Sequence, residues 1–197
     1  MIEEGVTILK YEQLDKIAQI YNGLRITRYA DKDNSNMKEV LKKINNKENL
    51  LETEQLSLTD SIDEKYYSKE NDIIIQTTSQ INTINIIKKE NIIIPANYTI
   101  IRTNKEHNPY YILYLLESNQ FKKVERKLSG GSNLHFLKIP DLRKMNVKIP
   151  SKEKQDRIVN ILKLIDEKNK LEEKKIKLNK QITEAIFIKQ LGEEYVQ

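Results

Sequence analysis

The sequence predicts an α+β protein in which a mixed, twisted-sheet head over residues 1–150 is followed by a long C-terminal coiled-coil helix over residues 151–197. Three observations predict it. Short β-branched runs at Ile73 to Ile75, Ile84 to Ile87, Ile92 to Ile94 and Tyr98 to Thr103 are each bounded by Asn, Lys or Pro, which is how short buried strands read. Asn108-Pro109 opens a helix, because Asn caps free amides and Pro suits the first helical position. Nothing breaks a helix between Ser151 and Gly192, a stretch that would make a rod about 60 Å long.

In chain order, Leu14, Ile17, Ala18 and Tyr21 form a short opening element that ends at the turn signal Asn22-Gly23. Residues 24–51 are polar and read as loops, with a short helix near Met37 to Ile44. The β-branched runs follow and give a sheet whose strand order the sequence leaves open, since tight hairpin signals are sparse. The helix from Asn108 runs to about Leu128, with Ile112, Leu113, Leu115, Leu116, Phe121 and Val124 on one broad side. Lys122, Lys123, Arg126 and Lys127 load its last turn, where cations suit the helix dipole. Ser129-Gly130-Gly131-Ser132 ends it, and a short strand at Met145 to Ile149 leads through Pro150 into the rod. Along the rod Ile161, Leu164, Lys168, Leu171, Lys175, Leu178, Ile182 and Ala185 alternate three and four apart, a coiled-coil seam that lacks its partner.

Composition narrows the function. The chain has 197 residues, of which 38% are hydrophobic and 32% charged, with a formal charge of +5 and a pI near 9.1. That balance favours polyanion partners, although an Asn- and Lys-rich chain acquires some of it from base composition alone. The absence of Cys removes disulfides, thiolate zinc sites and cysteine nucleophiles, and fits a reducing cytoplasm. The acidic N-terminus has no export-signal pattern, and no apolar run is long enough to span a membrane.

Catalysis finds no candidate. Asn108-Pro109-Tyr110-Tyr111 lacks the second Pro of the amino-methyltransferase motif and has no Gly-rich loop after a strand upstream, so it reads as a helix cap. Gly130-Gly131-Ser132 lacks the Lys of a phosphate-binding loop and follows a helix instead of opening one. His107 and His135 have no ligand-spaced neighbours, and Asp60, Asp63, Glu64, Glu70 and Asp72 are scattered through turns. Neither a metal nor a cofactor is expected.

What remains is a reading surface in three loops. Arg25, Arg28, Tyr29 and Lys32 follow the first turn; Gln76, Thr77, Thr78, Ser79, Gln80 and Asn82 follow a strand; Ser129, Gly130, Gly131, Ser132 and Asn133 form the third. Arg pairs bidentately with guanine, Gln and Asn with adenine, and Ser, Thr and Lys with phosphates.

The passage from Ser129 to Leu162, with its Gly-Gly-Ser loop, Ile149-Pro150, Gln155 and Ile158, resembles the join between recognition domain and helical spacer in the DNA specificity (S) subunits of type I restriction-modification systems. The opening Leu14 to Gly23, the strand at Asp72-Ile73-Ile74, the Asn-Tyr-Thr-Ile-Ile-Arg strand at 97–102 and the Pro-Tyr-Tyr-Ile-Leu-Tyr-Leu-Leu helix follow the same pattern in order. Lys154 stands where the family usually has Glu, and Lys152 where an apolar residue is common. The resemblance implies a non-catalytic reader of double-stranded DNA that docks methyltransferase (M) subunits, with a restriction (R) subunit as a further partner. Family members usually carry two recognition domains and two spacers, whereas one of each is present here, so the resemblance implies a homodimer or pairing with another S subunit on a bipartite target. The alternative is a regulatory S-subunit fragment that alters assembly of a methyltransferase complex without reading DNA.

Overall fold

A computed structural model describes residues 10–31, 36–45, 50–76, 83–128 and 138–191. The chain divides into two compact units, Met1–Gln155 and Asp156–Gln197. As the sequence predicts, the protein is α+β with a long C-terminal helix.

The first unit is built on a four-stranded antiparallel sheet in the order β2 (Ala18–Asn22), β7 (Tyr98–Thr103), β5 (Ile73–Gln76), β6 (Ile84–Ile86). Ile73, Ile74 and Ile75 are all buried because β5 is central and covered on both faces. Ile73 and Ile75 pack with Ile20 and Ile101 against α1 (Leu14–Ile17), α2 (Pro109–Glu117) and α4 (Ile139–Lys144). Ile74 and Ile100 face the other way, onto Leu41, Ile44, Ile87 and Ile92. Each such isoleucine contributes about 1.5–3 kcal/mol by leaving water, so the Ile-rich runs are the sheet's main source of stability.

Two small ribbons flank this sheet. β1 (Lys10–Gln13) pairs antiparallel with β8 (Asn146–Ile149), joining the start of the described chain to the strand before the long helix. β3 (Met37–Asn45) pairs with β4 (Leu50–Ser57) as a hairpin. The helix expected near Met37 to Ile44 is therefore a strand. Its sequence imitates a helix because the register slips between Leu41 and Lys43: the extra residue brings Leu41 and Ile44, three apart, into one buried cluster, where an unbroken strand would put them on opposite faces. Leu50–Ser57, whose apolar content is low, gave no strand signal of its own.

The helix expected from Asn108 to Leu128 is two helices, α2 and α3 (Asn119–Leu128), separated at Ser118. Ser118 is extended there (φ −63°, ψ 148°); its hydroxyl donates to Leu115 O at 2.7 Å and accepts from Phe121 N at 3.2 Å. One side chain thus stops one helix and caps the next. Asn108 caps α2 as expected, accepting from Tyr110 N and Tyr111 N. Pro140 opens α4, a helix the sequence reading passed over. Ile92 to Ile94 is buried but forms no regular strand, since Ile93 makes only isolated bridges to Val40 and Tyr67.

Gly23 illustrates a backbone requirement. It is buried where β2 ends, donates to Tyr98 O, and sits so close to the Ile94–Pro95 segment that an added Cβ would lie 2.1 Å from Pro95 O and 2.4 Å from Ile94 O. Both obstacles are backbone, so they yield only if the segment moves. Gly23→Ala should lower stability by about 1–3 kcal/mol, read as a lower urea midpoint at constant m; an unchanged midpoint would mean that the segment moves freely.

The second unit is the part of α5 (Lys152–Leu191) from Asp156 on. Its exposed apolar residues include Ile161, Leu164, Leu171, Leu178 and Ile182. Among the described residues no helix is long and apolar enough to cross a membrane.

Candidate nucleic-acid interface

Strand register brings two of the three nominated loops to one end of the sheet. β2 ends with Asn22 opposite Thr99, β7 begins at Tyr98, and β5 ends with Gln76 opposite Tyr98. The turn that follows β2 and the loop that follows β5 therefore leave the same edge of the fold. Arg25 precedes, and Arg28 ends, the 3-10 turn Ile26–Arg28; both are exposed, while Tyr29 is half-buried on a cluster around Leu24, Leu58 and Ile93. Thr59 N donates to Tyr29 O, so the segment carrying Asp60 and Asp63 runs beside these arginines.

Gln76 has a more structural position than its composition implied. Its backbone N donates to Thr83 O at 2.9 Å and its side-chain Oε1 accepts from Thr83 Oγ1 at 3.1 Å, a double clasp across the base of the β5–β6 loop. Thr77, Thr78, Ser79, Gln80 and Asn82, Lys32, and Ser129 to Asn133 lie outside the described residues.

The opposite end of the sheet holds a charged pair that the sequence reading did not single out. Asp72, just before β5, is 2% exposed, and Arg102 near the end of β7 grips it through two parallel bonds, Nε to Oδ1 at 2.8 Å and Nη2 to Oδ2 at 2.7 Å. Arg102 also donates to Tyr67 O at 2.9 Å, and Lys69 N donates to Asp72 Oδ2. The hydrogen-bonded carboxylate holds the guanidinium above its usual range despite partial burial. Arg102 lies 5.7 Å from the centre of the Tyr21 ring, and burial pushes that phenol up to about 12 against the opposing pull of Arg102. One signal was available: a lone Asp and a lone Arg, each at the end of an Ile run, call for each other once the runs pair.

Gln155 is the second unforeseen tie. It is 1% exposed; Oε1 accepts from Asn108 N at 2.8 Å and Nε2 donates to Pro150 O at 2.9 Å, with His107 Nδ1 at 3.3 Å. One amide thus joins the start of α2 to the start of α5. Lys152 and Lys154, where the sequence departs from the resembled pattern, are exposed beside it. Gln155→Ala should lower stability by about 1–3 kcal/mol, because it strands the buried Pro150 carbonyl and the half-buried Asn108 amide. Faster amide exchange at Asn108 would report the lost bond, and unchanged exchange would place the stabilisation elsewhere.

On α5, the seam residues Ile161, Leu164, Leu171, Leu178 and Ile182 are exposed large hydrophobics, and Lys168 Nζ lies 3.5 Å from Glu172 Oε1 one turn on. Among the described residues no group of His, Cys, Asp and Glu side chains could hold a metal ion.

Comparison with known proteins places this geometry. The sequence model of the type I restriction modification DNA specificity domain matches residues 9–182. Among solved structures, the fold is similar to the HsdS subunit from Thermoanaerobacter tengcongensis (14% identity, TM-score 0.57), with 85% of this chain and 40% of that one covered. It is also similar to the type I restriction-modification S subunit from M. genitalium (14% identity, TM-score 0.59; 99% and 49% covered). A third similar chain (16% identity, TM-score 0.61; 96% and 45% covered) comes from work on complex assembly and conformational transition of the type I R-M system. The chain thus spans less than half the length of each of these structures. No curated protein matches it.

Proposed function

Because the chain belongs to the family of type I restriction modification DNA specificity domains, which its sequence matches over residues 9–182, we propose that it is a non-catalytic, sequence-specific reader of duplex DNA for a methyltransferase complex. That match carries the reading, and the convergence of the Arg25–Tyr29 turn and the Gln76–Thr83 loop at one sheet end supports it. The head grips phosphates and reads base edges from its loops, while the methyltransferase subunit supplies cofactor and chemistry.

The exposed seam of α5 takes a second copy of the chain, and its lysines select the direction. In a parallel in-register pair, Lys168 would face Lys168 and Lys175 would face Lys175. In an antiparallel pair the opposing positions become Ile161 with Ala185, Leu164 with Ile182, Lys168 with Leu178 and Leu171 with Lys175. Every lysine then lays its aliphatic stem over a leucine and carries its ammonium out to water. Such a pair sets two heads apart under two-fold symmetry and favours a palindromic, interrupted target.

Binding of duplex DNA by the full chain, followed from 50 to 200 mM salt, tests the reading. A reader that engages about 6 to 10 phosphates loses roughly 10³ to 10⁵ in affinity over that range. A flat response, or none, would rule out direct DNA reading and leave assembly with other specificity or methyltransferase subunits as the role.

A further inference from the structure

The chain's positive charge is unevenly placed. Residues 117–148 carry eight Lys and Arg against three carboxylates, whereas residues 1–116, which hold Arg25 and Arg28, carry 15 against 17. Part of the excess lies about one cleft, whose lining also includes Asp141, while Arg143 turns away to donate to Ile20 O. α3 forms one wall of a cleft of about 650 Å³ through Gln120, Phe121 and Val124; α4 and β8 form the other, with Lys144 and Lys148 among its lining residues. Lys123 and Lys127 stand three residues beyond Gln120 and Val124 on the same helical face, so exposed lysines rise from both walls.

We infer that the Lys123–Lys127 and Lys144–Lys148 rims are the main phosphate grip of the head, holding the DNA backbone across the cleft between them. The inference rests on the DNA-reading assignment and deepens it. Four cations on two facing walls suit a track of phosphates. The Arg25 and Arg28 turn offers two cations, beside Asp60 and Asp63 that are already paired with Lys38 and Lys65, and suits local base contact instead.

The test measures affinity of the full chain for mixed-sequence duplex DNA against salt, for the unsubstituted protein and for Lys123→Gln/Lys127→Gln/Lys144→Gln/Lys148→Gln. The slope of log affinity against log salt should fall by about 0.9 per engaged lysine, roughly 3 to 4 for the set. The corresponding Lys→Arg set should keep the slope, and Lys88→Gln/Lys105→Gln should leave it unchanged. Circular dichroism confirms that each variant folds. If the unsubstituted chain binds DNA and the Gln set keeps its slope, the inference is overturned and the rims belong to an acidic protein surface. If the unsubstituted chain does not bind DNA, the DNA-reading assignment fails, and the inference with it.

Discussion

Replacing Arg102 with alanine should destabilise the head by about 3–5 kcal/mol, because it leaves a buried carboxylate with no counter-charge. Among the described residues, the Asp72 carboxylate would keep the bond from the Lys69 amide alone, and the Tyr67 carbonyl would lose the Arg102 donor it now has. Arg102→Lys should recover only part of the loss, since an ammonium cannot reproduce the two parallel bonds to Oδ1 and Oδ2. The double variant Asp72→Leu/Arg102→Met should be far closer to the parent than Arg102→Ala, because paired charges and packed apolar groups are near alternatives in a protein interior. Urea denaturation of the four proteins measures this directly. A loss below about 1 kcal/mol for Arg102→Ala would place the pair with surface ion pairs.

Substitution in the α5 seam should have the largest effect on assembly. Leu164→Glu/Leu171→Glu/Leu178→Glu removes three apolar side chains, each worth about 1.5–3 kcal/mol when buried, and puts carboxylates in their place. The parent should scatter light as a dimer at micromolar concentration and the triple variant as a monomer. The chain contains no Cys, so introduced thiols report direction without background. Leu164→Cys/Ile182→Cys should cross-link into covalent dimers under oxidation, whereas Leu164→Cys alone should not. Cross-linking by the single variant would show a parallel pair, and a parent that remains monomeric would remove pairing between copies altogether.

Features set by local chemistry were legible in the sequence. The runs at Ile73 to Ile75 and Tyr98 to Thr103 announced buried strands, Asn108-Pro109 announced a capped helix, and the unbroken stretch after Ser151 announced α5. Where one residue changed the local rule, the reading failed: the slip between Leu41 and Lys43 gave a strand helical spacing, and the Ser118 hydroxyl divided one amphipathic pattern into two helices. Non-local ties were the least visible. Gly23 read as a turn residue, yet its requirement is the approach of Pro95, and the bond from Thr83 to the Gln76 amide oxygen left no mark in the sequence. Asp72 and Arg102 are 30 residues apart and meet only because β5 and β7 pair.

Selection of duplexes from a randomised pool by the full chain tests the central claim most directly, because one sequencing readout reports both reading and pairing. The account predicts enrichment of a half-site in two inverted copies separated by a fixed gap, with the Leu164→Glu/Leu171→Glu/Leu178→Glu variant losing the fixed gap. A pool that shows no sequence preference, or that converges on a single uninterrupted site, would contradict it.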